Sequence, residues 1–150
     1  LAKALGAQVT GVCSAANTDQ ALKAGCDHVI DYRNNNPLEQ ENNFDVWFDV
    51  VGNQNLSKVR HQLNSDGIYL NIVKLLSTSL NGLLNPFRGQ SSHAVFVHPS
   101  ASDLEALRFV IEAGEIRPLI EQTYPLDGIA EAFERSRTQR VVGKLAIQTQ

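Results

Sequence analysis

Short runs of β-branched and aromatic residues alternate along this chain with segments whose apolar residues recur at helical spacing. The short runs predict six strands, at residues 8–13, 28–31, 44–51, 68–73, 93–98 and 144–148. The run at 44–51 is nearly continuous apolar sequence around two aspartates, which is typical of a strand buried on both faces. Residues 34–43 are predicted as a polar loop, and residues 75–92 carry no clear pattern.

Helical spacing predicts four helices between these strands, each bounded by residues that start or stop a helix. The first helix has a cap cluster at 17–19 and a stop at Gly25, and the second has apolar positions 56, 59 and 63 before a turn signal at 65–67. The third has a capping box at 100–103 and a stop at Gly114, and the fourth is an amphipathic run at 127–137. Strands that alternate with helices predict βαβ units and a parallel sheet. The predicted fold class is therefore α/β, a Rossmann-like doubly wound parallel sheet.

Residues 1–7 read as the end of a helix. Leu1 and Leu5 lie on one helical face, and Gly6 stands where a helix stops. In a doubly wound fold, a helix before the second strand follows a first strand and a glycine-rich phosphate turn. Neither is present in the sequence, so we expect a chain truncated before its first strand and that turn.

Charge and composition exclude several classes of partner. The net charge is −3 and no basic run is present, which argues against a nucleic-acid partner. No apolar stretch approaches the roughly 18 residues of a membrane span, and the N-terminus has no signal pattern. Cys13 and Cys26 are too few for a disulfide framework. We therefore expect a cytoplasmic protein, without a membrane partner, that binds a small molecule.

Candidate chemistry follows the predicted strands, because ligands of a doubly wound sheet bind beyond the carboxyl ends of the strands. Ser14 and Asn17 come after the strand at 8–13, where an acidic residue commonly binds the ribose hydroxyls of NAD. No acid is present there, and the small hydroxyl of Ser14 leaves room for a 2′-phosphate, which favours NADP over NAD. The alternative is that both are only turn and cap residues.

Two further positions follow strands. Tyr32 could pack on adenine or bind a phosphate through its hydroxyl, or it could simply cover surface. Gly52 lets the backbone approach a ribose closely, or it ends a strand in an ordinary turn. The four histidines show no metal-ligand spacing, and no serine stands in a nucleophile elbow. No metal ligand and no catalytic residue is therefore predicted.

An ordered set of short motifs covers essentially the whole chain. They are LAKALGA at 1–7, VTGVCS at 9–14, ALKAG at 21–25, HVIDY at 28–32, FDVWFDVVG at 44–52, PLDGIAEAF at 125–133 and GKLAI at 143–147. In this order they resemble the medium-chain dehydrogenase/reductase superfamily, and within it the NADPH:quinone oxidoreductases, also described as zinc-type alcohol dehydrogenase-like proteins.

The resemblance implies a division of the chain and a reaction. Residues 1–97 would be a partial dinucleotide-binding domain, and residues 98–150 a segment that returns to the catalytic domain. The reaction would be hydride transfer from NADPH to a quinone, an enone or a similar carbonyl compound. The zinc ligands of the alcohol dehydrogenase branch lie largely outside the part that this chain resembles, so no metal is implied.

The resemblance also assigns positions around the cofactor. The residues that would contact it are Ser14 and Tyr32 at the 2′-phosphate, Val51 and Gly52 under the adenosine ribose, and Ile72 and Phe96 toward the nicotinamide. Related reductases often have a lysine or arginine just after the Ser14 position, where this chain has Ala16 and Asn17. Binding of a 2′-phosphate is therefore expected to be weaker than in those related reductases.

Three expectations concern the chain on its own. Without a pyrophosphate cradle and a substrate domain, it should bind NADP weakly or not at all and be inactive. In the family it resembles, the strand that runs from Ala94 to His98 pairs with its symmetry mate, which implies a homodimer. The alternatives are a non-catalytic dimerisation or regulatory module on the same half-fold, and a different doubly wound binder such as a methyltransferase.

Overall fold

The computed structural model describes residues 1–40, 43–72, 89–96 and 98–149, and the chain divides into two compact units. One unit consists of Leu1–Asn35 and Ser100–Gln150, and the other of Asn36–Pro99. Every described strand pair is parallel, and helices connect the strands. The predicted α/β class is confirmed. The domain division at 97 and 98 stays a prediction, and residue 97 lies outside the described residues.

The N-terminal part of the first unit is a βαβ motif. Strand β1 (Thr10–Cys13) leads through a 3₁₀ turn (Ala15–Asn17) into helix α1 (Thr18–Lys23), and strand β2 (His28–Asp31) then pairs with β1 in parallel. Helix α1 contacts both strands, as the connecting helix of a βαβ unit does.

The first seven residues have the backbone geometry of a helix end, as the sequence predicts. The amide of Ala7 donates to the carbonyl of Ala2 at 3.0 Å, and Gly6 has a φ of +84°, which favours glycine. The Lys3 ammonium lies 2.5 Å from the Asp27 carboxylate, which also accepts a hydrogen bond from the Val9 amide. Because Asp27 binds both partners, the turn is joined to the loop before β2, and the hydrogen bond from Lys3 lowers the pKa of Asp27.

The C-terminal part of the first unit contains two helices and two strands. Helix α3 (Ala101–Glu112) begins at the predicted cap, where the Ser100 hydroxyl accepts from the Asp103 amide. Strand β6 (Ile120–Pro125) passes through a 3₁₀ turn (Leu126–Gly128) into helix α4 (Ile129–Arg137). Strand β7 (Lys144–Gln148) then pairs with β6 in parallel, and α4 contacts both strands.

A charged clamp connects β6, α4 and the loop before β7. The Arg135 guanidinium lies 2.6 Å from one oxygen of the Glu121 carboxylate, and the Val142 amide donates to the other oxygen at 2.5 Å. The guanidinium also donates to the carbonyl of Arg140. The hydrogen bond from Arg135, together with that from Val142, lowers the pKa of Glu121. One carboxylate therefore holds three chain segments together.

The second unit is a three-stranded parallel sheet. Strand β3 (Phe44–Asp49), helix α2 (Leu56–Val59), strand β4 (Leu63–Asn71) and strand β5 (Ser91–Ala94) follow in chain order, with 3₁₀ turns at Pro37–Glu39 and Arg60–Gln62. The order across the sheet is β3-β4-β5. Among the strands that the structure describes, β3 and β5 each pair only with β4.

The core of the second unit lies between α2 and the sheet. Leu56 and Val59 on α2 and Leu63 and Tyr69 on β4 are all buried, and Val59 has no exposed surface. Trp47 packs against this cluster, and its ring meets that of Phe44 edge to face, with centroids 5.8 Å apart. The apolar residues of α2 therefore form part of the core, as their helical spacing in the sequence predicts.

Two predicted boundaries in the second unit are wrong. The helix marked by 56, 59 and 63 ends at Val59, because a 3₁₀ turn follows and Leu63 already belongs to β4. The turn signal at 65–67 lies inside β4, where the pairing with β3 shifts register. A Cβ at Gly67 would lie 2.9 Å from the Cβ of Leu63 and 3.0 Å from the carbonyl oxygen of Phe44, so this irregular backbone needs a glycine.

Strand positions also differ. The predicted strand at 93–98 is Ser91–Ala94, because β4 ends at Asn71 and, among the described residues, the Val95 amide makes the last bond to it, at 2.8 Å. The strand predicted at 44–51 ends at Asp49, and that predicted at 8–13 begins at Thr10. Strand β6 is absent from the prediction. The end of the strand predicted at 68–73 and most of the unassigned segment 75–92 lie outside the described residues.

Among the helices that the structure describes, none is long and apolar enough to cross a membrane.

The core of the second unit generates a stability prediction. Leu56→Ala should lower the free energy of unfolding by about 3 kcal/mol, because it removes buried methyl groups and leaves a cavity beside Val59. Urea unfolding followed by the fluorescence of Trp47 measures this, since Trp47 is the one tryptophan of the chain and contacts the same cluster. Leu104→Ala, at a position 67% exposed, is the matched control and should change it by less than about 0.5 kcal/mol. Equal effects of the two variants would contradict the assignment of this core.

Candidate functional site

Two of the predicted site residues follow neighbouring strand ends in the first unit. Cys13 and Asp31 are register partners at the ends of β1 and β2, and the Tyr32 amide donates to the Cys13 carbonyl at 3.1 Å. Ser14 and Tyr32 therefore leave the sheet side by side. Asn17 closes the 3₁₀ turn after β1, since its amide donates to the Ser14 carbonyl at 2.8 Å.

The polar groups of these three residues are available to a ligand. Neither Ser14 nor Asn17 uses its side chain to cap a helix, and Tyr32 is 52% exposed. Within the described residues, none of the three side chains makes a hydrogen bond. This corner can therefore present a hydroxyl, an amide and a phenol to anionic or hydroxyl-rich groups.

Arg33 is a residue of this corner that sequence reasoning missed. Its backbone is held in place, because the Asp31 carboxylate accepts from the Arg33 amide at 3.1 Å and from the Asn34 side chain at 2.6 Å. Its guanidinium forms no ion pair in the part of the chain that the structure describes. A cation thus lies one residue beyond Tyr32. The sequence signal that could have identified it is an arginine shortly after β2, the strand that pairs with β1.

The remaining predicted residues share one edge of the sheet in the second unit. Asp49, Asn71 and Ala94 are register partners at the ends of β3, β4 and β5. The residues that follow them at this edge are Val51 and Gly52, Ile72, and Phe96. Val51 is 70% exposed, Ile72 48% and Phe96 55%, so the edge is apolar and open. The seven predicted residues therefore fall into two groups, one in each unit.

A buried carboxylate determines the shape of this edge. The Asp49 side chain accepts hydrogen bonds from the amides of Val51, Gly52 and Gln54, at 3.1, 2.7 and 2.9 Å. It also accepts from the Tyr69 hydroxyl at 2.9 Å. Gly52 is buried with a φ of +75°, a conformation that side chains rarely adopt. The turn that carries Val51 therefore wraps around the carboxylate.

The environment of Asp49 keeps it ionised. Burial by itself would raise its pKa, but the hydrogen bonds from Gln54, Tyr69, Gly52 and Val51 outweigh burial and hold the pKa below its ordinary value. The pKa of Tyr69 is raised, first by burial and then by its bond to Asp49. The signal for Asp49 was an acid at the end of an apolar strand, three residues before a glycine.

Metal-binding side chains are scattered. In the ranges 1–40, 43–72, 89–96 and 98–149, no three histidine, cysteine, aspartate or glutamate side chains come close enough together to hold a metal ion. The donor chemistry of the described residues therefore does not fit a metal centre.

Comparison with known proteins places the chain among dehydrogenases. The family model of the zinc-binding dehydrogenases matches residues 24–147. The chain is 30% identical to a zinc-type alcohol dehydrogenase-like protein of Schizosaccharomyces pombe, over 99% of this chain and 47% of the relative. It is 29% identical to a human mitochondrial NAD(P)H oxidoreductase, over 97% of this chain and 42% of the relative. The chain thus spans about half the length of the curated relatives it matches.

Solved structures show the same fold. The quinone oxidoreductase of Coxiella burnetii matches with a TM-score of 0.79 at 19% identity, over 99% of this chain and 47% of that one. A thermostable alcohol dehydrogenase of Pyrobaculum aerophilum matches with a TM-score of 0.70 at 24% identity, over 99% and 44%. These likenesses confirm the predicted Rossmann-like fold class.

The buried carboxylate generates a prediction with a defined pH dependence. Asp49→Asn should lower the free energy of unfolding at neutral pH by about 2–3 kcal/mol, because amide and hydroxyl donors lose a charged acceptor. The folded-state pKa of Asp49 lies below the unfolded value of about 3.9, so its stabilisation is complete above that pH. It is lost as pH falls through the folded-state pKa. Urea titrations of wild type and variant, from neutral pH to below the folded-state pKa, measure the difference between their unfolding free energies. This difference should shrink toward acid pH.

Asp66→Asn is the matched control for this prediction. Asp66 is an exposed aspartate of the same unit, and its side chain has no hydrogen bond within the described residues. The control should leave the unfolding free energy within about 0.5 kcal/mol of wild type. A constant difference between wild type and Asp49→Asn at every pH would show that the charge of Asp49 has no part in the effect.

Proposed function

The chain belongs to the zinc-binding dehydrogenase family of the medium-chain dehydrogenase/reductase superfamily, and we propose that it supplies the NADPH-binding part of a quinone or enone reductase. The observation that carries this proposal is the corner formed by Ser14, Tyr32 and Arg33 at the paired ends of β1 and β2. When bound, the cofactor supplies a hydride, and the residues of this chain bind and orient it.

The preference for NADP over NAD rests on charge and hydrogen bonding at that corner. Carboxylates accept the ribose hydroxyls of NAD, whereas an arginine nearby accommodates a 2′-phosphate. The residue after β1 is Ser14, and Arg33 is a cation that follows Tyr32 after the end of the neighbouring strand β2. Asp31, the acid of this corner, is occupied by the Arg33 amide and the Asn34 side chain. Phosphate is therefore the group that these donors suit.

The apolar edge of the second unit suits the uncharged rings of a dinucleotide. Asp49 holds the turn so that Gly52 brings backbone, without a side chain, to the strand end. We assign Val51 and Gly52 to the adenosine ribose, and Ile72 and Phe96 to the nicotinamide side. The exposed Ile72 and Phe96 would exclude water from that side.

Zinc has no place in this proposal. The family takes its name from zinc, but the described residues hold no cluster of suitable donors, and no step is assigned to a metal. Activity of the chain by itself is not expected either. Its sequence contains no glycine-rich phosphate turn, which supplies the strongest anion site of such folds.

The test compares 2′,5′-ADP with 5′-AMP, two ligands that differ only in the 2′-phosphate. We expect dissociation constants no tighter than about millimolar, since the pyrophosphate grip is absent, and about tenfold tighter binding of 2′,5′-ADP. Nuclear magnetic resonance titration of the chain measures both, and the amide signals of Ser14, Tyr32 and Arg33 should move. Ser14→Asp should abolish the tenfold preference, because a carboxylate repels the phosphate.

Arg33→Gln tests the cation, and Arg137→Gln is its control. Both variants remove one positive charge from an exposed arginine of the first unit, but only Arg33 lies at the corner. Arg33→Gln should reduce the preference for 2′,5′-ADP and Arg137→Gln should leave it intact. Equal binding of both ligands to the wild-type chain would overturn the NADP proposal. Self-association without any nucleotide binding would favour a dimerisation or regulatory module.

We also propose a homodimer through the segment from Ala94 to His98. Strand β5 is an edge strand among the described strands, and an edge offers free backbone donors and acceptors to another chain. Val95 and Phe96, which follow it, are 37% and 55% exposed, and no charged residue precedes His98 in the segment. Residue 97 lies outside the described residues.

Phe96→Lys should convert this dimer into a monomer, because a lysine places a charge in an apolar contact. Light scattering at about 100 µM, well above ordinary dimer dissociation constants, measures the mass. Phe133→Lys is the matched control, since Phe133 is 65% exposed on α4 of the other unit and should keep the wild-type mass. A wild-type monomer at that concentration, or a dimer unaffected by Phe96→Lys, would show that this segment is not a dimer interface.

A further inference from the structure

The chain has two free thiols, and both lie in the βαβ motif of the first unit. Cys13 is the last residue of β1. Cys26 follows the C-terminus of α1, where its amide donates to the Ala21 carbonyl at 3.1 Å. Both residues are half-buried, so small reagents can reach them while the backbone around them stays fixed.

Gly11 makes room for one of the sulfurs. A Cβ on Gly11 would lie 2.8 Å from the Sγ of Cys26 and 3.8 Å from the Cβ of Ala21. The Cys26 sulfur therefore occupies the space that a side chain at Gly11 would fill. Any larger residue at Gly11 would force this sulfur away from the strand.

Cys13 projects from the same face of β1. Side chains alternate along a strand, so positions 11 and 13 share a face, and the burial pattern agrees: Gly11 and Cys13 are half-buried and Val12 between them is exposed. Residues two apart in a strand are separated by about 6.6 Å. The Cys26 sulfur above Gly11 and the Cys13 side chain therefore lie about two strand positions apart on one face of β1, and rotation of the two side chains moves the sulfurs toward each other.

The electrostatics of the pair support this proximity. Burial raises the pKa of the Cys26 thiol, and the neighbouring Cys13 and Asp27 raise it further. Cys26 therefore stays protonated to a higher pH than an ordinary cysteine, and its smaller thiolate fraction disfavours it as the first attacking thiol.

We propose that Cys13 and Cys26 are a reversible thiol pair that closes into an intramolecular disulfide when the chain meets a small-molecule disulfide such as oxidised glutathione. The Cys13 thiolate attacks one sulfur of the reagent and releases one glutathione thiolate, which leaves a mixed disulfide on Cys13. Cys26 gives up its proton and attacks the Cys13 sulfur, and the second glutathione departs. Two protein thiols are oxidised, and one glutathione disulfide is reduced to two glutathione molecules.

The position of the pair gives the closure a consequence. Cys13 immediately precedes Ser14, and its carbonyl accepts the hydrogen bond from Tyr32. Closing the disulfide ties the end of α1 to the end of β1, directly behind this corner. The pair is thus a modification site that is separate from cofactor binding and adjacent to it.

The test treats the full chain with oxidised glutathione under native conditions, quenches with acid and measures the mass. The native chain should lose two hydrogen atoms and carry no glutathione, and Cys13→Ser and Cys26→Ser should each keep a glutathione adduct. The ratio of closed product to adduct should be at least about tenfold higher in the native chain than in concentrated urea, because the fold raises the effective concentration of one thiol at the other.

Three results would overturn the proposal. They are a stable glutathione adduct on the native wild-type chain, a disulfide that joins two chains instead of closing within one, and an equal closure ratio in native buffer and in urea. The urea comparison uses only the wild-type sequence, so it decides the matter even where a cysteine variant folds poorly.

Discussion

The second unit depends on one buried negative charge. A carboxylate that leaves water loses several kcal/mol of solvation unless donors replace the lost water molecules. Around Asp49 those donors are the backbone amides of Val51, Gly52 and Gln54 and the hydroxyl of Tyr69. The amides belong to the turn after β3, and the hydroxyl belongs to β4. Solvating the charge therefore ends one strand, shapes its turn and couples it to the core in a single set of bonds.

Parallel strands then bring distant sequence positions together. Because each strand of a parallel sheet ends at the same edge, residues that follow Asp49, Asn71 and Ala94 become neighbours although they are more than twenty positions apart. The same constraint in the other unit puts Tyr32 next to Ser14, with Arg33 following Tyr32 along the chain. Membership of the dehydrogenase family gives these edges a functional meaning that geometry alone does not, since many chemistries share this fold.

The elements that could be predicted from the sequence are those that short stretches of sequence determine. Apolar spacing and caps located α1, α2, α3 and α4, and β-branched runs located β1, β2, β3 and β7. Strand β6 was missed because its residues include Glu121, Gln122 and Thr123, and the polar run obscures the strand. The bounds of β4 and β5 depend on where their pairing partner ends, which no local pattern records. Arg33 escaped for a related reason: a cation was sought along the chain after Ser14, and the one proposed for this corner follows the neighbouring strand instead.

The clamp in the first unit has a consequence for how its sequence can change over evolutionary time. The carboxylate of Glu121 binds a guanidinium with one oxygen and an amide with the other, while Arg135 also donates to the carbonyl of Arg140. If the two residues exchanged places, a guanidinium would point its hydrogens at the Val142 amide, and a carboxylate would face the Arg140 carbonyl. The two backbone groups fix the polarity of the pair. Homologues can therefore lose this ion pair or keep it, but a charge reversal that preserves the attraction would still break both backbone contacts.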